Sequence, residues 1–176
     1  MALELWSVGI LLAAGGILAG CKPSRGVDGI GAIHTDNYAN LRLEYYYYIP
    51  DSVLQEESAP HPVLVMIPGL SGRGEEFVTS DFRRFADEEG LIIIAPSFVF
   101  DEANWDSRQS YQYPAAWSGN ALLEIIAQLE QQKGITTSEL CLFGFSAGAQ
   151  FALRFCLWQP ERCIACAAHA SGGTVL

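Results

Sequence analysis

Four short, largely apolar runs divide the chain after residue 60, and helix-like segments separate them. The runs are PVLVMIP (Pro62–Pro68), LIIIAP (Leu91–Pro96), ELCLFGF (Glu139–Phe145) and CIACAAHA (Cys163–Ala170). None of them alternates apolar with polar residues, so they indicate strands buried on both faces. The pattern predicts an α/β fold with a mostly parallel sheet and helices on both faces.

The segments around these runs predict three helices, an earlier strand and a loop. Helices are predicted where apolar residues recur at helical spacing, before Gly90, before Gly134 and before Pro160. The aromatic run LRLEYYYYIP (Leu41–Pro50) predicts a strand whose tyrosines cover one sheet face near an edge. The preceding residues 22–37 are rich in turn formers and predict a loop.

Composition limits the classes of protein to which the chain can belong. Its 176 residues suffice for one domain with one substantial core. Half of the residues are hydrophobic and 17% are charged, which argues against extensive disorder. The formal net charge of −10 repels phosphate backbones, so nucleic acid is not an expected partner.

The N-terminal segment has the pattern of an export signal. An apolar run from Val8 to Ala19 is shorter and richer in glycine than a membrane span, but it suits a secretory signal. It ends in LAGC, which resembles the lipobox of bacterial lipoproteins and implies a lipid on Cys21 that holds the protein at a membrane. We expect residues 1–20 to be a signal peptide, 21–40 a tether and 41–176 the α/β domain. An uncleaved membrane anchor and a misassigned start codon are the alternatives.

Export would place the other four cysteines in an oxidising compartment. Cys163 and Cys166 have a redox or zinc spacing, but no second pair accompanies them, so no metal site is predicted. Small buried cysteines in an apolar strand are the favoured interpretation. A disulfide between Cys156 and Cys163 remains open.

One serine lies between two glycines at the junction of a predicted strand and a predicted helix. The sequence GFSAG (Gly144–Gly148) matches G-x-S-x-G, with the strand ending at Phe145 and the helix beginning at Ala147. In this context the pattern predicts a nucleophile elbow, a strained turn that exposes the Ser146 hydroxyl. The alternative is a serine that caps the helix, with glycines needed only for packing.

From Leu41 to its end the chain resembles the α/β-hydrolase superfamily, in its secreted esterase branch of feruloyl-esterase-like and polyhydroxyalkanoate-depolymerase-like enzymes. The resemblance carries Ser146 over as the nucleophile and implies no cofactor. It also implies an oxyanion hole built from the backbone N–H groups of Ala147 and Leu70, with Ser71 a second candidate donor.

A long loop between Ser97 and Pro114 is predicted to leave the sheet at the same end as Ser146. Its aromatic residues would wall an apolar acyl pocket together with the loop at Ser71, or they would pack into the core. The candidates for the pocket are Ser71, Phe98, Trp105 and Tyr111.

The sequence offers no complete catalytic triad. In this fold the chain order is serine, acid, histidine. After Ser146 the one carboxylate is Glu161, predicted at the opposite end of the sheet, and the one histidine is His169, which no acid follows. His34 and His61 are predicted to lie in the N-terminal loop and at the opposite end. We expect a C-terminally truncated hydrolase core whose acid and base lie beyond Leu176, with little activity as an isolated chain.

The functional prediction is a serine esterase that cleaves small-molecule or polymeric esters, exported to the cell envelope or secreted. The alternative from another class is a lipoprotein of the same fold that binds a ligand or partner without chemistry.

Overall fold

The computed structural model describes residues 26–35, 41–56, 59–70, 73–98 and 110–172, and the elements below are those of these ranges. The strands are β1 (Gly26–Thr35), β2 (Leu41–Pro50), β3 (Pro60–Ile67), β4 (Ile92–Ser97), β5 (Thr136–Phe145) and β6 (Cys163–His169). The α-helices are α1 (Asp51–Gln55), α2 (Ser80–Glu89), α3 (Gly119–Lys133) and α4 (Ala147–Trp158). All four predicted apolar runs are therefore strands, and all three predicted helices are present.

The six strands form one sheet in the order β1-β2-β4-β3-β5-β6. Strands β3 to β6 are mutually parallel, whereas β1 and β2 are antiparallel to their neighbours. Helices α3 and α4 pack into the core on one face, which we call the α4 face, and α2 packs on the other, the α2 face. The predicted α/β fold, with a mostly parallel sheet covered on both faces, is confirmed.

The first strand corrects the predicted N-terminal loop. Residues 26–35 are not a loop but pair along their length with β2. The glycines that indicated turns lie under tyrosine rings of the neighbouring strand, because a Cβ on Gly29 would lie 2.6 Å from Cζ of Tyr47 and one on Gly31 would lie 2.6 Å from Cε1 of Tyr45. Glycine is used here for the close approach of an aromatic ring rather than for a turn.

The tyrosines of β2 also differ from the prediction. Because side chains alternate along a strand, Tyr45 and Tyr47 join the core of the α4 face, whereas Tyr46 and Tyr48 join the core of the α2 face. All four are buried. They cover both faces of the sheet, and β1 forms the edge beyond them.

The last strand is correctly placed in sequence, but the prediction that it is buried is wrong. Strand β6 lies at the end of the sheet and is largely exposed, with 61% of Ile164 accessible. Its paired neighbour within the described ranges is β5. Cys166 is accordingly exposed and Cys163 is half-buried, so neither is the fully buried cysteine expected from the apolar run.

Across the described ranges, no helix has both the length and the apolar character that crossing a membrane requires. The predicted signal peptide and Cys21 lie outside these ranges.

Candidate active site

The chain turns sharply between β5 and α4, and Ser146 occupies the turn. Its backbone angles are φ 52° and ψ −114°, in a region that residues with a side chain rarely adopt. Its backbone N–H donates to the carbonyl oxygen of His169 at 2.9 Å, which ties the turn to the end of β6. The residue is half-buried at the carboxyl end of the sheet.

Two glycines make this turn possible. A Cβ on Gly144 would collide with the carbonyl oxygen of Gly148, the second residue of the helix. A Cβ on Gly148 would collide with the carbonyl oxygen of Ile67 and would lie 2.5 Å from that of Pro68. Helix α4 therefore starts so close to the backbone of both β5 and β3 that a side chain at either glycine would require the backbone to shift.

The Ser146 side chain does not cap the helix. Ser146 is the N-cap residue of α4, yet its hydroxyl accepts no capping hydrogen bond. Its carbonyl oxygen accepts from the N–H groups of Ala149 and Gln150 at 3.1 and 3.3 Å, as a helix start requires. A nucleophile elbow is expected to have a strained backbone and a serine hydroxyl that does not cap the helix, as observed here. A capping serine would instead accept a hydrogen bond from an N–H in the first turn of the helix.

Of the two backbone groups implied for the oxyanion hole, one lies at this turn and the other follows a glycine that approaches it. Ala147 is the first residue of α4, where N–H groups have no partner within the helix. Gly69 follows β3 and approaches the turn, because a Cβ built on it would lie 3.5 Å from Cβ of Ser146. Leu70 comes next and is 39% exposed. Ser71 lies outside the described residues.

The aromatic candidates for a pocket wall are core residues where the structure describes them. Phe98 is 3% exposed and Tyr111 is 2% exposed, and their rings stack at 4.9 Å. Phe98 also contacts Trp117 and Phe151, which places the stack in the core beneath α4. This arrangement agrees with the core-packing alternative for both residues. Trp105 lies outside the described residues.

Tyr111 contacts the loop that follows β3 in a way that the sequence did not indicate. Its hydroxyl donates to the carbonyl oxygen of Pro68 at 3.0 Å inside the core. Ser118 donates from its hydroxyl to the carbonyl oxygen of Tyr111 at 2.7 Å, which holds the segment in place. Burial raises the pKa of Tyr111 above its ordinary value, so the phenol stays protonated and remains a donor. The start of the predicted oxyanion loop is thereby fixed.

The far side of the same loop is anchored to the sheet. The N–H of Gly74 donates to Oγ of Ser97 at 2.9 Å, at the carboxyl end of β4. Arg73 donates to the hydroxyl of Tyr46 at 3.0 Å and lies 3.6 Å from a carboxylate oxygen of Glu75. The sequence marked none of these residues, although the position of Ser97 after a buried strand at the Ser146 end of the sheet was a usable signal.

The histidines and the late carboxylate do not complete a triad. The ring of His169 stacks on Phe145 at 5.6 Å, and its contact with Ser146 is through the backbone. His61 lies near the start of β3 and Glu161 in the turn before β6, both at the opposite end of the sheet. His34 lies on β1, which is four strand spacings from β5, or about 19 Å.

The described residues thus bring no candidate base into contact with the side chain of Ser146. Among them, no side chain hydrogen-bonds to the Ser146 hydroxyl. They also contain no group of three or more His, Cys, Asp or Glu side chains arranged to hold a metal ion.

Comparison with known proteins identifies the fold. No family model and no curated protein matches the sequence. The solved structures that resemble it include an S-formylglutathione hydrolase from Agrobacterium tumefaciens, with 20% identity, a TM-score of 0.64 and coverage of 81% of this chain and 57% of that one. A ferulic acid esterase has 16% identity and a TM-score of 0.65, over 84% of this chain and 58% of its own. A poly(3-hydroxybutyrate) depolymerase from Bordetella parapertussis has 23% identity and a TM-score of 0.60, over 82% and 52%.

The chain spans little more than half the length of each of these three structures. At such low identity the similarity concerns the fold, and functions on one fold are set by the site rather than by the architecture. The strand order, the parallel core and the turn between β5 and α4 agree with the fold of these structures. This chain has the α/β-hydrolase fold.

Proposed function

We propose that this chain is the nucleophile-bearing part of a serine hydrolase that cleaves carboxylic esters through an acyl-enzyme on Ser146. The observation that carries the proposal is the strained backbone of Ser146 at φ 52°, between a buried strand and a helix, with a hydroxyl that does not cap the helix. A strained position of this kind persists only where the surrounding structure enforces it, and such positions concentrate at functional sites.

In the proposed reaction Ser146 attacks the acyl carbon of the ester and passes its proton to a histidine base. The negative charge that forms on the carbonyl oxygen is held by the N–H groups of Ala147 and Leu70. One such donor contributes on the order of 3 kcal/mol to the transition state. The alcohol leaves with the proton, and water then releases the acid by the same steps in reverse order.

The histidine and its orienting acid are proposed to come from sequence beyond Leu176. The geometry described above supports this, because none of the described histidines or carboxylates is bonded to the Ser146 hydroxyl. The proposed substrates are small-molecule or polymeric esters, in line with the ester-cleaving names of the structures that share the fold. No cofactor is needed for this chemistry.

A fluorophosphonate probe tests the nucleophile directly. The chain is expressed as printed and also with any coding sequence that continues past Leu176, and both proteins are treated with the probe and digested with trypsin. We expect the label on the peptide 134–154 of the extended protein, at Ser146, together with hydrolysis of short acyl esters.

The same tryptic peptide provides a matched control. Ser138 lies at the other end of β5, so the Ser138→Ala variant should keep both the label and the activity, while Ser146→Ala should lose both. If the extended protein binds no probe at Ser146 and cleaves no ester, the proposal is wrong. The alternative function, a lipoprotein that binds a ligand without chemistry, would then be favoured.

We further propose that the protein is exported and lipid-anchored at Cys21. The support is the apolar run that ends in LAGC. The wild-type chain and Cys21→Ser are expressed in a bacterial host that is fed a labelled fatty acid. The wild-type chain should carry the label and be found in the membrane fraction of the cells, whereas Cys21→Ser should carry no label. Cys141→Ser is the control and should incorporate the label as the wild type does. Incorporation of the label by Cys21→Ser, or no incorporation by the wild type, would contradict lipidation at Cys21.

A further inference from the structure

Three of the four described cysteines converge on one side of the sheet. Cys156 lies on α4, and Cys163 and Cys166 lie on β6, which packs against α4. The thiol of Cys156 is within hydrogen-bonding reach of the thiols of both β6 cysteines. The proposed esterase chemistry uses none of them.

A β-bulge brings the two β6 cysteines to the same face. Residues three apart in a regular strand point to opposite faces, because side chains alternate. Here the register shifts, so that Cys163 pairs with Leu140 while Cys166 pairs with Leu142. Both leucines belong to the core of the α4 face, so the extra residue, Ile164, turns Cys163 and Cys166 toward α4 together.

The fourth described cysteine is a natural reference. Cys141 lies between the two leucines on β5, and its side chain packs with the core of the α2 face. It is separated from the other three thiols by the sheet itself. Cys156 and Cys163 instead pack against the core of the α4 face.

The chemistry of the cluster is that of thiols rather than of a metal site. The described residues contain no group of three or more His, Cys, Asp or Glu side chains with the arrangement of a metal site, and this applies to the three cysteines as well. Partial burial raises the pKa of Cys156 to about 12 and the pKa of Cys163 above its ordinary value. Because the thiolate is the reactive form, these groups exchange slowly once the chain has folded at neutral pH.

We propose that Cys156 is the shared partner of Cys163 and Cys166 in an intramolecular disulfide that ties α4 to the exposed strand β6. Either β6 cysteine can complete the bond, because both face Cys156. The bond would secure an edge strand whose described strand neighbour is β5 alone. This inference stands independently of the proposed esterase activity.

The oxidant for the two protein thiols is a small disulfide such as oxidised glutathione, which accepts the two electrons. The thiolate of Cys156 attacks a glutathione sulfur, the glutathione disulfide breaks, and one reduced glutathione leaves. The thiol of Cys163 or Cys166 then loses its proton, attacks the Cys156 sulfur of the mixed disulfide and displaces the second glutathione. Two protein thiols are oxidised and one glutathione disulfide is reduced to two thiols.

Tryptic mapping can test the proposal because arginines separate the partners. Cleavage after Arg154 and Arg162 puts Cys156 in the peptide Phe155–Arg162 and both β6 cysteines in the peptide 163–176. The reduced, denatured chain is refolded in a mixture of reduced and oxidised glutathione, and free thiols are then blocked. A parallel sample is oxidised in concentrated guanidinium chloride, where only sequence proximity guides pairing.

We expect the cross-link between these two peptides to predominate after refolding, and to exceed its share in denaturant, where Cys163 and Cys166 can pair within one peptide. Cys163→Ser and Cys166→Ser should each keep the cross-link, Cys156→Ser should lose it, and Cys141→Ser should leave it unchanged. The oxidised wild type should also need more urea to unfold than its reduced form, a difference that Cys156→Ser lacks.

Three outcomes would overturn the proposal. The first is a cross-link no more abundant after refolding than in denaturant. The second is its loss in either single β6 variant, which would show one fixed pair instead of a shared partner. The third is a bond between Cys163 and Cys166 as the main product of refolding.

Discussion

Replacing Gly148 by alanine tests how closely helix α4 approaches strand β3. The new Cβ would collide with the carbonyl oxygen of Ile67 and lie 2.5 Å from that of Pro68. Overpacking a core position costs about 1–3 kcal/mol, and we take about 3 kcal/mol because main-chain oxygens cannot rotate away. Alanine is favoured over glycine within a helix by about 1 kcal/mol, which offsets part of this cost.

The expected result is that Gly148→Ala lowers the free energy of unfolding by about 2 kcal/mol, or a factor of about 30 in the folded-to-unfolded ratio. Urea unfolding followed by tryptophan fluorescence measures the change. Gly69→Ala is the matched control, because its Cβ would make ordinary contacts of 3.5 Å and its backbone does not have a positive φ. That control should change stability by no more than about 1 kcal/mol. A Gly148→Ala variant as stable as the wild type would refute the close approach of α4 to β3.

Three further predictions concern the supports of the site and of the sheet. Tyr111→Phe removes the hydrogen bond to Pro68 and leaves a buried carbonyl oxygen unsatisfied, so it should cost about 1–3 kcal/mol in urea unfolding; no loss would show that the bond does not hold the loop. Because burial raises the pKa of Tyr111, its contribution is complete below pH about 10, the ordinary tyrosine value, and is lost as the pH rises above it. The stability difference between wild type and Tyr111→Phe should therefore shrink above that pH, and a difference that grows there would contradict the assignment. Gly31→Ala should lower the free energy of unfolding by about 1–3 kcal/mol, because the new Cβ would displace the buried ring of Tyr45, whose hydroxyl donates to Gln128. An unchanged urea midpoint would contradict the packing of β1 on β2.

The core of the fold was predictable because its strands are buried on both faces. Runs such as LIIIAP leave no alternative to a covered parallel strand, and the helices between them end at Gly90 and Gly134, which adopt the left-handed conformation expected of helix ends. Strand β1 was not predictable in the same way. Glycines at alternate positions indicate a turn in sequence, and only the tyrosine rings of β2 explain them in the sheet.

The error on β6 has a different physical cause. Its apolar composition is that of a buried strand, but burial depends on what lies beside a strand, and that information is not in the strand itself. In the site, the strand–turn–helix pattern correctly located the turn at Ser146, because it is a local feature. The hydrogen bond from Tyr111 to Pro68 joins residues 43 positions apart and leaves no mark in the sequence.

The strain at Ser146 is the central claim, and the stability of Ser146→Gly tests it most directly. Relief of a strained backbone should stabilise the folded state by on the order of 1–3 kcal/mol. The greater flexibility of glycine in the unfolded chain offsets about 1 kcal/mol of that gain. We therefore predict that Ser146→Gly unfolds with a free energy about 1 kcal/mol higher than the wild type, while Ser146→Ala stays within about 0.5 kcal/mol of it. A capping serine would give the opposite result, with Ser146→Gly slightly less stable than the wild type and Ser146→Ala less stable by about 1 kcal/mol. That outcome would contradict the elbow and the nucleophile that depends on it.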